Sequence, residues 1–209
     1  MTTRRIAVVS AGLSQPSSTR LLADRLTEAT VRRLHEQGFE TEVDVVELRD
    51  IAHDVTNNLL AGFPSPTLAD AIGKVSGADG LIAVTPVFTT SYSGLFKSFF
   101  DVLDPTALEG MPVLIGATGG TERHSLALEY AMRPMFTYLH GVVVPTSVYA
   151  ASADWGSGAD TVKALPDRIE RAAGEFAALV SASDRSSMVT DPFALEGNFG
   201  SMIGGFQSE

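Results

Sequence analysis

Five short apolar runs punctuate the chain, and the segments between them return apolar residues at helical spacing. The runs are Ile6–Val9, Glu42–Leu48 ("EVDVVEL"), Gly80–Thr85 ("GLIAVT"), Val113–Thr118 ("VLIGAT") and Gly141–Tyr149. Each is the length of one strand and rich in β-branched or small apolar residues, the signature of strands buried on both faces. Ser17–Gln37 predicts a helix, with Leu21, Leu22, Leu26, Ala29, Val31 and Leu34 on one side and Gly38 as its stop. Leu68–Ser76, Gly94–Leu103 and Thr161–Ser181 predict three more. Arg123–Leu139 predicts another, which Pro134 disturbs. Ile51–Ser65 reads as irregular and Pro86–Tyr92 as a loop.

Strand and helix in strict alternation require a parallel sheet with helices on both faces. Five strands within residues 1–182 suit an α/β, flavodoxin-like doubly wound sheet of strand order 2-1-3-4-5. Its ligand crevice lies at the carboxyl ends of strands 1, 3 and 4. Residues 183–209, rich in Ser, Gly, Asp and Phe without period, read as a C-terminal tail that orders only by docking on a partner subunit.

Composition removes several classes of function. A net charge of −10 over 209 residues argues against non-specific nucleic-acid binding and against a polybasic membrane anchor. The chain has no cysteine, hence no disulfide, thiol or Cys-based metal chemistry. No signal peptide or spanning segment is readable, so a cytoplasmic, membrane-free protein is expected.

Three loops fall at the expected crevice. "SAGLSQPSST", Ser10 to Thr19, follows strand 1 and opens a helix, where free N–H groups and the helix dipole favour an anion. Gly12 lets the chain turn and approach closely. One hydroxyl suffices for a helix cap. Ser14, Ser17, Ser18 and Thr19 together favour phosphate. A dinucleotide fingerprint would carry three spaced glycines and a nucleoside triphosphate loop a lysine. With one glycine and no lysine, a terminal monophosphate remains. Glu47 reads as a solvated strand end. In "TPVFTTSYSG", Thr85 to Gly94, Pro86 fixes the backbone and Phe88 and Tyr92 add aromatic surface. Either a flat, mostly apolar ligand lies there or the loop packs on a neighbouring helix or subunit. In "ATGGTERH", Ala117 to His124, Gly119-Gly120 permits either close backbone approach to a ligand or an ordinary tight turn.

Titratable catalysts are scarce. His35, His53, His124 and His140 have no metal-ligand spacing, and His124 reads as a helix-start or subunit contact. No G-x-S-x-G elbow is present, and serines stand where a phospho-acceptor receiver would cluster acids. Such a pocket points to a cofactor that carries the chemistry while the protein binds and orients it.

Three stretches, "SAGLSQPSSTRLLADRL", "ADGLIAVTPVFTTSYSGLFKSFFD" and "GATGGTERHSLALEYAMRPMF", together closely resemble the NADPH-dependent FMN reductase family. Within it the nearest likeness is to flavin reductases of two-component monooxygenase systems, similar to alkanesulfonate-type reductases and to those partnered with luciferase-like monooxygenases. The resemblance spans roughly Arg5 to Tyr149. It implies FMN as cofactor, NADPH or NADH as hydride donor, and reduced FMN supplied to a partner flavin-dependent monooxygenase. It places Ser10, Gly12, Ser14, Ser17, Ser18 and Thr19 around the FMN phosphate. Pro86, Val87, Phe88 and Thr89 would border the isoalloxazine ring. Thr118, Gly119 and Gly120 would meet its polar edge and leave room for nicotinamide. No side chain is assigned an acid–base role and no metal is implied. Many relatives carry an arginine in the phosphate loop, whereas here only Arg20 stands just beyond it; Arg20 and Arg123 are the readable candidates for a 2′-phosphate contact. Tyr130 matches a tyrosine in a π-bulged helix at a subunit interface, and a homodimer or homotetramer is implied. Phe96, Phe99 and Phe100 fit a core or a dimer face equally. A quinone or azo-dye reductase, or a flavodoxin-like electron carrier, is the alternative within the fold; carriers usually have a T/S-x-T-G-x-T phosphate loop, which this sequence lacks.

Overall fold

The computed structural model describes residues 2–155, 164–183 and 185. Strands β1 (Thr3–Ser10), β2 (Glu40–Glu47), β3 (Gly80–Phe88) and β5 (Pro112–Gly119) run parallel in the order β2-β1-β3-β5. β6 (Val142–Val143) and β7 (Val148–Ala151) both pair with β5, and β4 (Ser91–Tyr92) is an antiparallel return on β3. The predicted order stands, but the described sheet has seven strands rather than five.

Side chains alternate across the sheet, and the two sets enter two cores. Ala7, Val9, Leu81, Ala83, Val113 and Ile115 face α2 (Ala52–Ala61), α3 (Pro66–Ser76), α4 (Gly94–Asp101) and α5 (Arg133–Tyr138). Ile6, Val8, Ile82, Val84 and Leu114 face α1 (Ser18–Glu36) and α6 (Leu165–Ser181). Strands flanked on both sides have no polar face to offer water, which is why they read as unbroken apolar runs. Phe96, Phe99 and Phe100 of α4 are core: with Phe136 they form edge-to-face contacts at 4.8–5.4 Å between centroids.

Four sequence expectations are corrected. Residues 52–61, read as irregular, are helical; Gly62, left-handed at φ 81°, ends the helix. Only Val55 and Asn58 of α2 are buried, while Leu59 and Leu60 face outward, so its apolar period is hidden. The loop at Pro86–Tyr92 is a continuation of β3 that doubles back as β4. Arg123–Leu139 is not one helix: a turn at Glu122–His124, a π-helical turn at Leu128–Met132 and α5 follow each other. Pro134 sits in the first turn of α5, where its missing N–H costs least.

The run from Gly141 to Tyr149 is broken between β6 and β7, because Pro145 cannot donate to the ladder. The break is held by side chains from two helices. Thr146 N–H and Oγ1 donate to Glu175 at 2.7 and 2.8 Å. Arg133 donates to the carbonyls of Val144 (2.9 Å) and Pro145 (3.1 Å). Beyond α6, Arg185 is buried and donates to the carbonyls of Ser76, Ala107 and Glu109. Apart from residues 183 and 185, the predicted tail lies outside the described residues, as do residues 161–163 of the last predicted helix.

Candidate functional site

The chain leaves β1 at its carboxyl end through a loop that is closely fitted to the start of α1. Ala11 N–H donates to Val84 O at 3.0 Å, which ties the loop to β3. A Cβ on Gly12 would overlap Ser17 Oγ and come within 3.2 Å of the Cβ atoms of Ser17 and Thr19. Gly12 is therefore required by close approach. Ser17 is the N-cap of α1, its Oγ accepting from Arg20 N at 3.2 Å. Ser14 Oγ donates to Pro16 O, outside the turn. Ser18 is exposed.

The remaining two hydroxyls face inward. Thr19 Oγ1 and Thr118 Oγ1 share a 2.8 Å hydrogen bond in a buried setting, joining the first loop to the end of β5. Ser10 is fully buried and its Oγ has no hydrogen-bond partner among the described residues. An unpartnered buried hydroxyl costs about 1–3 kcal/mol. Helix geometry leaves the N–H groups of Ser18 and Thr19 without intrahelical acceptors. These N–H groups and the neighbouring hydroxyls fit an oxyanion group such as a terminal phosphate.

The second loop is a two-residue hairpin turn. Val87 faces Tyr92 and Phe88 faces Ser91 across it. Thr89 (φ 48°) and Thr90 (φ 72°) both take left-handed backbone, which β-branched residues adopt at a cost. Thr85 fastens the hairpin: its hydroxyl donates to Pro86 O and accepts from Ser93 N, while Ser93 Oγ caps α4 through Phe96 N. Pro86 and Val87 are half-buried; Phe88, Thr89 and Thr90 are exposed.

In the third loop the two glycines differ. A Cβ on Gly119 would overlap the hydroxyl of Tyr149, whereas at Gly120 none of the described residues comes within 4 Å of that position. The space on the Cβ side of Gly119 is thus filled by Tyr149, and Gly120 is the open position. β3 and β5 run side by side here, Pro86 opposite Thr118, so the second and third loops adjoin.

A cleft of about 460 Å³ lies on the β2 side of the first loop and is lined by Gly12, Ser14 and Ser17 of that loop. Arg20 and Glu47 line it, and Glu47 is no solvated strand end. Arg20 is paired with Asp24 (2.7 Å) and Glu47 (2.5 Å), and these hydrogen bonds raise its pKa further. Its charge is spent on carboxylates rather than on the loop. Gln15 Oε1, with its amide turned to suit its neighbours, accepts from both terminal nitrogens of Arg49 at 3.1 and 3.2 Å. Among the described residues, no group of His, Asp or Glu side chains is placed to hold a metal ion, and no helix is long and apolar enough to cross a membrane.

Residues 4–156 match the model of the NADPH-dependent FMN reductase family. The chain belongs to this family. An FMN reductase (NADPH) of Pseudomonas aeruginosa is 36% identical over 175 residues, 84% of this chain and 91% of that protein. The NADH-dependent FMN reductase SfnF of Pseudomonas fluorescens is 35% identical over the same shares. An oxidoreductase from Corynebacterium diphtheriae, 44% identical, superposes with a TM-score of 0.83 over 88% of this chain and all of that one. Membership gives the chain its chemistry: it is an NAD(P)H-dependent oxidoreductase acting with FMN. The alternative of a pure electron carrier is set aside.

Sequence reasoning found the loops but missed what braces them: Tyr149, Thr85, Ser93 and Arg49. Tyr149 and Arg49 act on the loops from distant parts of the chain, while Thr85 and Ser93 brace the second loop from its own two ends.

Proposed function

We propose that the chain reduces FMN at the crevice formed by its three loops and releases reduced FMN to a separate flavin-dependent monooxygenase. The observation that carries the site is Ser10 Oγ at the end of β1, buried and without a hydrogen-bond partner among the described residues. Ser10, Ser17, Ser18 and Thr19 would hold the phosphate through hydroxyl and N–H groups; Ser14, turned to Pro16, would help only from outside. Pro86, Val87, Phe88 and Thr89 would border the isoalloxazine, and Thr118, Gly119 and Gly120 its polar edge. When bound, FMN supplies the hydride acceptor. The chain's own part is to orient it and to point main-chain N–H groups near Gly120 at the edge where negative charge grows, without a titratable side chain.

Release is supported by electrostatics. A charge-assisted bond to phosphate is about twice as strong as a neutral one, and Arg20 is committed to Asp24 and Glu47. A phosphate held by neutral donors suits a flavin that exchanges.

A second copy of the chain is the proposed occupant of the face beside α4 and the π-helical turn, consistent with a homodimer or homotetramer. There Tyr92, Phe100, Tyr130, Met135 and Tyr138 line an open groove of about 500 Å³. Tyr130 and Tyr138 are 79% and 82% exposed, unusual for aromatic rings at a free surface.

The test is to incubate purified protein with FMN and either NADH or NADPH and follow the nicotinamide absorbance. FMN-dependent oxidation, with reduced FMN recovered in a small-molecule filtrate, is expected. Oxidation with quinone or azo dye but not with free FMN would overturn the reading.

A further inference from the structure

We propose that Tyr149 is a positioning residue for the third loop, setting the backbone of Gly119–Thr121 against the bound flavin's polar edge; this rests on the FMN reading above. Tyr149 stands on β7 opposite Ala117, one strand outward from the site. It is 5% exposed, and its hydroxyl donates to Thr121 O at 2.9 Å. The same hydroxyl occupies the place of a Cβ at Gly119, and its Cζ would lie 3.1 Å from one. One phenol thus touches both ends of a three-residue loop. It wedges beneath Gly119 and holds the carbonyl of Thr121, leaving the peptide units between them little freedom to rotate.

Tyr149 is itself anchored. Arg168 from α6 donates to Tyr149 O at 2.5 Å and pairs with Asp154, which accepts from Ala151 N at 2.8 Å. The ring therefore cannot slide along β7 without breaking this arrangement. Burial, and then the charge of Glu122, push the phenol pKa up, so Tyr149 remains a neutral donor.

The first glycine of the pair is needed for Tyr149 and the second faces outward. An N–H aimed at developing charge must be fixed beforehand to be effective, and the phenol is what fixes these.

The test compares the full-length wild type with Tyr149→Phe. Dissociation constants for oxidised and for reduced FMN are measured by anaerobic titration, alongside kcat and KM for the nicotinamide. Tyr149→Phe is expected to leave oxidised FMN within about threefold. It should weaken reduced FMN about tenfold, equivalent to a midpoint potential about 30 mV more negative for a two-electron couple. kcat should fall with KM little changed. A merely structural role would move both flavin forms alike, and an unchanged ratio of the two constants would overturn the proposal. Thermal unfolding supplies a readout without flavin: Gly119→Ala should destabilise, and Gly119→Ala/Tyr149→Phe should recover part of that loss. Absence of recovery would also overturn it. Wild type that neither binds FMN nor oxidises NAD(P)H would instead overturn the underlying reading, and the proposal with it.

Discussion

Thr19, in the first turn of α1, and Thr118, at the end of β5, share a buried hydrogen bond of 2.8 Å across 99 positions of sequence. It is the direct side-chain link between the phosphate loop and the loop that follows β5. Removing one hydroxyl leaves the other buried and unpaired, which costs about 1–3 kcal/mol. Thr19→Val and Thr118→Val are each expected to lower the denaturant midpoint by that measure. The double variant should lose less than the sum, and each single variant should weaken FMN binding. Additive effects in the double-mutant cycle would show that the two hydroxyls are not coupled.

The three loop glycines separate by what a methyl group would meet. Gly12→Ala should displace Ser17, lose the helix cap and weaken FMN binding at least tenfold, on the order of 1.4 kcal/mol. Gly119→Ala meets Tyr149 and should destabilise by about 1–3 kcal/mol, the usual cost of overpacking. Gly120→Ala meets nothing and should leave the unfolding transition close to wild type while raising the KM for nicotinamide. Thermal melts and steady-state kinetics on the three variants check the ranking.

Thr89 and Thr90 hold left-handed backbone at φ 48° and 72°. Two-residue hairpins of this shape prefer Asn-Gly, and an L-residue there costs about 1–2 kcal/mol. Thr89→Asn/Thr90→Gly is expected to raise the denaturant midpoint without changing the slope. If Thr89 also contacts flavin, stability will rise while affinity falls, and the two readouts together distinguish strain relief from a lost contact.

Glu129, inside the π-helical turn, accepts from Arg133 (2.5 and 3.0 Å) and from Ser147 (2.7 Å). The Arg133 hydrogen bond leads in holding its pKa below the ordinary value of 4.5. A carboxyl that gives up its proton more readily in the fold than in the unfolded chain stabilises the fold above its unfolded pKa. That contribution is lost as pH falls through the folded pKa. Urea midpoints taken from about pH 6 down to about pH 3 should therefore drop more steeply for wild type than for Glu129→Gln. Parallel pH profiles would remove Glu129 from the account.

Much of the fold was legible because buried parallel strands have no polar face to disguise. The runs at Ile6, Gly80 and Val113 could be read at sight, and so could the loops that follow them. α2 was not legible, since it buries an asparagine and exposes Leu59 and Leu60, inverting the usual pattern. The break at Pro145 was a visible breaker within an apolar run. Its repair depends on Arg133 and Glu175 from two helices, 11 and 29 positions from the groups they hold. In the site, the hydroxyl-rich loop announced itself, but its hydroxyls divide in a way composition does not encode. Ser14 and Ser17 serve the backbone, Thr19 serves Thr118, Ser18 is exposed, and Ser10 is buried without a partner among the described residues. Gly119 was read as space for a ligand because nothing near it in sequence indicates the ring of Tyr149.

The most direct test of the central claim is a crystal structure of the protein with FMN. The phosphate is expected within hydrogen-bonding reach of Ser10 Oγ and of the N–H groups of Ser18 and Thr19, about 2.7–3.2 Å. The isoalloxazine should lie between Pro86–Thr89 and Thr118–Gly120, with Arg20 still bound to Asp24 and Glu47. Flavin density elsewhere, or a phosphate drawn to a released Arg20 in the cleft on the β2 side, would contradict it.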